Sequence, residues 1–359
     1  MKYDEETLKT LRYGSIMIMA DQDFDGSHIK GLIMNFLHWY NPSLLRLDGF
    51  VKMFITPIVK ATKGSVVKSF FTVPKFVAWK NAQSSLSGWT FKYYKGLGTN
   101  TSKEAKTYFG DLNRHVIPFR YNGGTTSNGS NNDDETTALL ATPTTSTTFQ
   151  EPSNDDDWIE MVFSKTLSNR RKTWLQSYDS DSSINYETNE ISVSTFLRDE
   201  YVHYSASSVR RAIPSVVDGL KPSQRKALFA CFKRKLTKEI KVAQLVGYVS
   251  EHTAYHHGEQ SMEQTVVKLA QDFVGSNNIN LLFPGGQFGS RLMGGKDAAS
   301  SRYIFTRLAE ITRTIFPVAD DDVLDYLDDE GTQIEPKYYV PIVRGVFPSN
   351  TYENNRLYY

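Results

Sequence analysis

Three carboxylates stand at alternating positions in Asp21-Gln22-Asp23-Phe24-Asp25-Gly26, directly after the apolar run Ile16-Met17-Ile18-Met19-Ala20. Negative charge gathered this closely is unfavourable unless water or a cation neutralises it. A lone Asp-x-Asp is ordinarily a polar turn; three acids and a glycine shift the reading towards a metal. The loop begins like an EF-hand, but that motif needs a bidentate Glu at its twelfth position and a helix on each side. Counted from Asp21, the twelfth residue is Leu32, and the preceding run reads as a strand. The spacing therefore predicts a hard-cation site at the carboxyl end of a strand, where open α/β sheets bind ligands. Oxygen-only ligation favours magnesium or manganese, with phosphate oxygens completing the shell.

Other segments could meet an anion. Lys95-Gly96-Leu97-Gly98-Thr99 follows a strand and precedes a helix, so its glycines allow backbone to approach a phosphate and Lys95 adds a charge. From Lys221 to Lys241 the basic residues Lys221, Arg225, Lys226, Lys233, Arg234, Lys235, Lys238 and Lys241 face only Glu239. A solvated helix face is the plainer reading; a helix-turn-helix-type DNA binder that contacts phosphates is the sharper one. In Tyr255-His256-His257-Gly258-Glu259 the adjacent histidines point apart, which argues against a shared zinc and for hydrogen bonding. Tyr303 follows the small-residue run Gly294-Gly295-Lys296-Asp297-Ala298-Ala299-Ser300-Ser301, and the cations Lys296 and Arg302 bracket it. A cation beside a phenol favours the phenolate over the ordinary pKa of about 10.

The elements that carry these groups change character along the chain. Up to residue 120, strands and helices alternate. Ile29, Leu32, Ile33, Phe36 and Leu37 form a helical stripe; Phe50–Ile58, Lys68–Val73 and Trp89–Tyr94 read as strands; Thr101-x-x-Glu104 is a capping box. That alternation predicts a parallel or mixed sheet with helices on both faces. Residues 121–157, dominated by Thr, Ser, Asn, Asp and Gly, read as a disordered insertion. A helical bridge is expected over 158–200. After it the chain reads as mainly helical. Pro222 suits a first turn, Leu228, Cys231, Phe232 and Leu236 form one stripe, and a further helix runs from about Gly258 to Val274.

The chain has 359 residues, with 41 Lys+Arg against 40 Asp+Glu and one cysteine. That length allows two or three domains. A single cysteine excludes an internal disulfide framework and any multi-cysteine zinc site, and it favours a reduced intracellular compartment. No apolar run reaches the roughly 18 residues of a membrane span, and the acidic start is unlike a secretory leader. The balanced net charge averages over segments of opposite sign and excludes no partner.

Read together, LRYGSIMIMADQDFDGSHIKGL, FITPIVK, KYYKGLGTNTSKEAKTYF, RAIPSVVDGLKPSQRK, KVAQLVGYVSEHTAYHHGE, LAQDFVGSNNINLL, GGKDAASSRYIFT and IEPKYYVPI resemble the eukaryotic-type, ATP-hydrolysing type II DNA topoisomerases. The bacterial gyrase group resembles the same two halves on separate polypeptides. The resemblance implies a Toprim domain over 1–120 that lacks its first strand. It implies a winged-helix DNA-cleavage domain over 201–316 and the start of a tower domain over 317–343, with 344–359 outside the family pattern. It implies that Asp21, Asp23 and Asp25 hold Mg²⁺, for which Mn²⁺ or Ca²⁺ substitutes in binding. Tyr303 would be the nucleophile, surrounded with the scissile phosphate by Arg302, His257 and Arg211. Lys95, Lys221, Arg225, Lys226 and Lys296 would bind DNA.

The implied activity is Mg-dependent transient double-strand cleavage through a 5′-phosphotyrosyl linkage, then strand passage and religation, driven by ATP in the full-length enzyme. The implied partners are double-stranded DNA and a second copy of the chain, with no membrane, in the nucleus. The family's Glu-Gly-Asp-Ser-Ala motif, whose glutamate completes the metal site, and its ATPase and transducer domains lie outside this sequence, so a fragment is expected. Such a fragment is expected to bind DNA without relaxing supercoils. The readings from other classes are a DNA-binding remnant without catalysis and a Toprim-type nuclease or primase.

Overall fold

The computed structural model describes residues 4, 6–124, 149–329 and 332–343. They fall into two compact units that divide between Ser207 and Ser208.

In unit 1 the first strand, β1 (Ile16–Ile18), pairs in parallel with β2 (Val51–Phe54); β2 pairs antiparallel with β6 (Val116–Arg120), and β6 in parallel with β7 (Ile191–Ser192). The sheet is thus mixed, in the order β1-β2-β6-β7. A second sheet, β4-β3-β5, is antiparallel throughout and comprises β3 (Val59–Lys63), β4 (Val66–Phe70) and β5 (Thr90–Tyr93). The sequence reading merged β3 into its surroundings. Its alternating Val-Lys-Ala-Thr-Lys lacks the continuous apolar run of a buried strand.

Helix α1 (Phe24–Tyr40) corrects the expected stripe. Its buried residues are Gly26, Ser27, Lys30, Gly31, Met34 and Leu37. Of the residues read as the core face, Ile29, Leu32 and Phe36 are 48%, 45% and 59% exposed. Small residues decide the matter: a Cβ on Gly31 would stand 2.5 Å from the Tyr201 ring, so the helix packs at close range on its Gly and Ser side. That side also carries a lysine, which a period count of apolar residues assigns to solvent.

Helices α2 (Val73–Asn81) and α3 (Ser102–Gly110) follow. The expected capping box is present: Thr101 Oγ1 accepts from the Glu104 amide, and the Glu104 carboxylate accepts from the Thr101 amide. The insertion expected over 121–157 is too wide at both ends. Asn122 N donates to Asp155 and Gly124 N to Asp156, and Tyr121 bonds Asp156, because the three acids of 155–157 open helix α4 (Asp155–Phe163). Residues 125–148 of that expectation, and the 344–359 tail, lie outside the described residues. The region expected as a bridge is no separate layer. Trp158, Ile159 and Met161 of α4 and Trp174 of α5 (Ser168–Gln176) share one core with Ile18, Met53 and Ile117 of the sheet.

Unit 2 begins within α6 (Val202–Ala212). Helices α7 (Pro222–Lys233), α8 (Val242–His252) and α9 (Glu259–Ala270) pack around Leu228, Cys231, Leu245, Val249, Met262 and Val266. Pro222 occupies the first turn of α7, as read from the sequence, while α9 ends at Ala270, short of Val274. The strands β8 (Ile240–Lys241), β9 (Leu282–Gly285) and β10 (Phe305–Leu308) form an antiparallel sheet ordered β8-β10-β9. Three helices beside such a sheet, with a long loop between β9 and β10, make the winged-helix arrangement. A hairpin of β11 (Tyr326–Asp329) and β12 (Thr332–Pro336) follows. Among the described residues no helix is long and apolar enough to cross a membrane.

Candidate functional site

The acidic loop lies in unit 1 between β1 and α1. Asp23 is the N-cap of α1: its backbone is extended and its Oδ1 accepts the Gly26 amide at 2.6 Å. Asp21 Oδ1 accepts the Leu97 amide at 2.6 Å, which joins the acidic loop to the Lys95–Thr99 segment. Gly96 makes that junction possible, since a Cβ there would stand 2.7 Å from Asp21 Oδ2. Asp21, Asp23 and Lys95 are exposed and Asp25 is half-buried. Among the described residues no three His, Cys, Asp or Glu side chains converge as a metal cluster. Magnesium does not require one, because it is commonly held by one or two carboxylates with substrate phosphate and water. Two exposed, oxygen-only carboxylates at a strand end, with Gly96 leaving room beside Asp21, fit that chemistry. Asp21 and Asp23 are the residues that would hold the ion, with Asp25 beside them in sequence.

Two polar networks brace this loop, and sequence reasoning found neither whole. Beside the Lys95 segment, Glu104 accepts from Lys92 Nζ at 2.9 Å and from Lys60 Nζ at 3.3 Å, and it is bonded by the Tyr94 hydroxyl. Burial acts to raise the Glu104 carboxyl, but the Thr101 amide, the Tyr94 hydroxyl and Lys92 overcome it and hold the group well below the usual carboxylate range. Under the acidic loop, Lys30 is fully buried and pairs with Glu200 at 3.0 Å. Burial opposes the Glu200 charge, yet Lys30 and the Tyr186 hydroxyl keep its carboxyl below the ordinary value. The capping box was the only local signal for either network.

In unit 2 the loop between β9 and β10 presents Tyr303. Its neighbours are anchored: Ser301 Oγ donates to Glu263 at 2.6 Å, and the Val242 amide bonds Ile304 O at 3.0 Å. Between those anchors Arg302 and Tyr303 turn outward, and Tyr303 is 71% exposed. The Arg302 guanidinium lies over the Tyr303 ring, 5.8 Å from its centroid. Earlier in the loop, Gln271 Nε2 donates to Phe288 O at 2.8 Å and to Gly295 O at 3.3 Å. Gly295 has φ +76°, and a Cβ there would come within 2.3 Å of Gln271 Nε2, so only glycine suits the position. Asp297 accepts from the Ser290 amide and hydroxyl, which leaves the neighbouring Lys296 exposed. His257 is exposed with its ring edge-on to Tyr255 at 5.4 Å, and Arg211 is half-buried in the last turn of α6.

Two of the expected DNA contacts are corrected. Arg225 is buried, and its guanidinium donates to both oxygens of Asp218 at 2.7 and 2.9 Å and to Leu220 O at 3.0 Å. Asp218 has no exposed surface, and a carboxylate so placed needs a cation; the guanidinium fork matches it. Lys226 likewise turns inward to Glu335 at 2.8 Å and to Thr253 O. Lys221 caps α7 half-buried, and burial together with Lys268 pulls its ammonium down. The exposed cations of the basic run are Lys233, Arg234, Lys235, Lys238 and Lys241, at the end of α7 and after it.

Comparison with known proteins gives one answer. The family profile for the DNA gyrase/topoisomerase IV cleavage polypeptide matches residues 211–347, and that of the C-terminal associated domain of TOPRIM matches 54–131 and 126–209. The chain is 50% identical over 345 residues to the mitochondrial DNA topoisomerase 2 of Dictyostelium discoideum, covering 95% of this chain and 24% of the relative. It is 49% identical over 352 residues to human DNA topoisomerase 2-beta, covering 95% of this chain and 20% of that protein. The solved DNA-binding, cleavage and re-ligation domain of Plasmodium falciparum topoisomerase II superposes with a TM-score of 0.75 at 49% identity, over 94% of this chain and 42% of that one. The chain therefore spans about a fifth to a quarter of the full-length relatives it matches.

Proposed function

Since the chain belongs to the eukaryotic-type type II DNA topoisomerases, we propose that it is their DNA-cleavage core, opening and resealing duplex DNA through Tyr303. The observation that carries this is an exposed phenol beside an exposed guanidinium, held between two buried anchors on a winged-helix sheet.

Tyr303 Oη attacks a backbone phosphorus. The P–O bond to the 3′ oxygen breaks as the P–Oη bond forms, and the leaving oxygen takes up a proton. One phosphodiester is exchanged for another without oxidation or reduction, so the reverse attack reseals the strand without an external energy source. Arg302, with His257 and Arg211 as the further cations of this reading, stabilises charge developing on the phosphate oxygens. Asp21 and Asp23 would hold the ion, which when bound supplies Lewis-acid stabilisation of the phosphate and the leaving oxygen. Lys95 and Lys296, both exposed, contact the DNA backbone; so does Lys221 in its half-buried place. Double-stranded cleavage needs two such centres, so the working unit is a homodimer, and ATP drives strand passage in the full-length enzyme. We place its work in the nucleus, as the resemblance implies, although one relative is mitochondrial by name.

Denaturant trapping with duplex DNA and Mg²⁺ or Mn²⁺ tests the reading. The parent chain forms a covalent protein–DNA adduct and Tyr303→Phe forms none. A parent that binds DNA without an adduct would establish the non-catalytic reading instead. Strand scission that survives Tyr303→Phe would point to a Toprim-type nuclease.

A further inference from the structure

Between the short helix Val193–Phe196 and α6 the backbone makes a π-helical turn, Leu197–Tyr201. Single π-turns of this kind are frequent at functional sites. This one carries Glu200 under the acidic loop. Glu200 Oε1 accepts from Lys30 Nζ at 3.0 Å and from Ser27 Oγ at 2.7 Å. Its Oε2 accepts from Tyr186 at 2.5 Å, and the Tyr186 oxygen in turn accepts from Gln22 Nε2 at 2.9 Å. Gln22 is the residue between Asp21 and Asp23, and Ser27 Oγ also lies 3.1 Å from Asp23 O.

A buried ion pair is a poor way to gain stability, since apolar residues of similar volume commonly do as well or better. The neighbours here are apolar: Met34, Phe196 and Leu197 are fully buried. What a hydrogen-bonded pair supplies is direction. Gln22 is held inward while Asp21 and Asp23 on either side of it are exposed. The first turn of α1, whose Gly26 amide Asp23 caps, is tied by Ser27 and Lys30 to the same carboxylate.

We propose that Glu200 is a positioning residue for the metal-holding loop, acting through Tyr186 on Gln22 and through Ser27 and Lys30 on the start of α1, so that Asp21 and Asp23 face the ion. The inference rests on the metal reading of that loop. Residues that orient metal ligands from behind typically change metal affinity roughly 10- to 100-fold when replaced.

The test is Mn²⁺ binding by the whole chain, read from the loss of the free-ion electron paramagnetic resonance signal, beside a thermal unfolding curve for each variant. Glu200→Gln weakens Mn²⁺ binding by roughly 10- to 100-fold. Tyr186→Phe, which leaves the Lys30–Glu200 pair intact, weakens it in the same direction by less, and its effect disappears in an Asp21→Ala background. Should Glu200→Gln not fold, Tyr186→Phe decides alone. Unchanged Mn²⁺ affinity in the folded variants, whatever their melting temperature, overturns the inference and leaves the network a packing feature. A parent chain that binds no Mn²⁺, or an Asp21→Ala that binds it undiminished, removes the metal reading itself and this inference with it. Those two failures are distinguishable, because only the second shows in the parent or in the ligand variant.

Discussion

In unit 1 the residues under the acidic loop are polar, buried and bonded to one another, from Gln22 through Tyr186 to Glu200 and Lys30. In unit 2 the Tyr303 loop rests mainly on glycine, backbone and amide contacts over an apolar core, and its charged residues Lys296 and Arg302 are exposed. The difference follows from what each loop must present. Carboxylates that meet a cation repel one another and need directed partners to hold them. A phenol that attacks a bulky polymer needs reach, which two anchors and an outward bulge provide. The chemical groups of the two loops should therefore respond differently to substitution.

The largest expected contrast is at Tyr303. Tyr303→Phe removes the covalent adduct altogether, while its urea unfolding free energy stays within about 0.5 kcal/mol of the parent, as for an exposed site. A marked loss of stability would show that the bulge is part of the core. Asp218 is the reverse case. Asp218→Asn leaves the Arg225 guanidinium buried and unneutralised, so a loss of about 3–5 kcal/mol is expected in urea unfolding. If Arg225→Met weakened DNA binding in a salt titration while stability held, the structural reading of that pair would be wrong.

A smaller effect is expected at Gly96. Gly96→Ala pushes a methyl group against the Asp21 carboxylate, so Mn²⁺ affinity falls several-fold while the melting temperature changes little. Equal affinity would mean that Asp21 can move away at no cost. The smallest effect is the pH dependence of Glu104. Its carboxyl lies below the ordinary 4.5 in the folded chain, so its contribution is complete above that value and is lost as pH falls beneath it. The stability gap between parent and Glu104→Gln should be present at pH 7 and narrow towards pH 3 in urea midpoints. A gap that widens in acid would reverse the sign.

Much of the candidate site was legible because its signals are local. The acidic run, the Gly-rich segment, the Thr101–Glu104 cap and the Arg302–Tyr303 pair are each contained in a few consecutive residues. Two errors share a cause. The α1 stripe failed because the helix buries Gly, Ser and a neutralised Lys rather than its apolar residues. The Arg225 and Lys226 assignments failed because each has an acidic partner that only the folded chain brings near.

The sequence by itself determined the family, the order of its motifs and the residue types that could cut and rejoin a phosphodiester, since these depend on neighbours along the chain. Tertiary structure alone decided which cations stay open to solvent, which side of α1 meets the core, and that α4 and α5 pack with the sheet. The physical reason is desolvation. Whether a charge is free or spent depends on what folding buries beside it, and Glu200 and Lys30 are 170 positions apart in the chain.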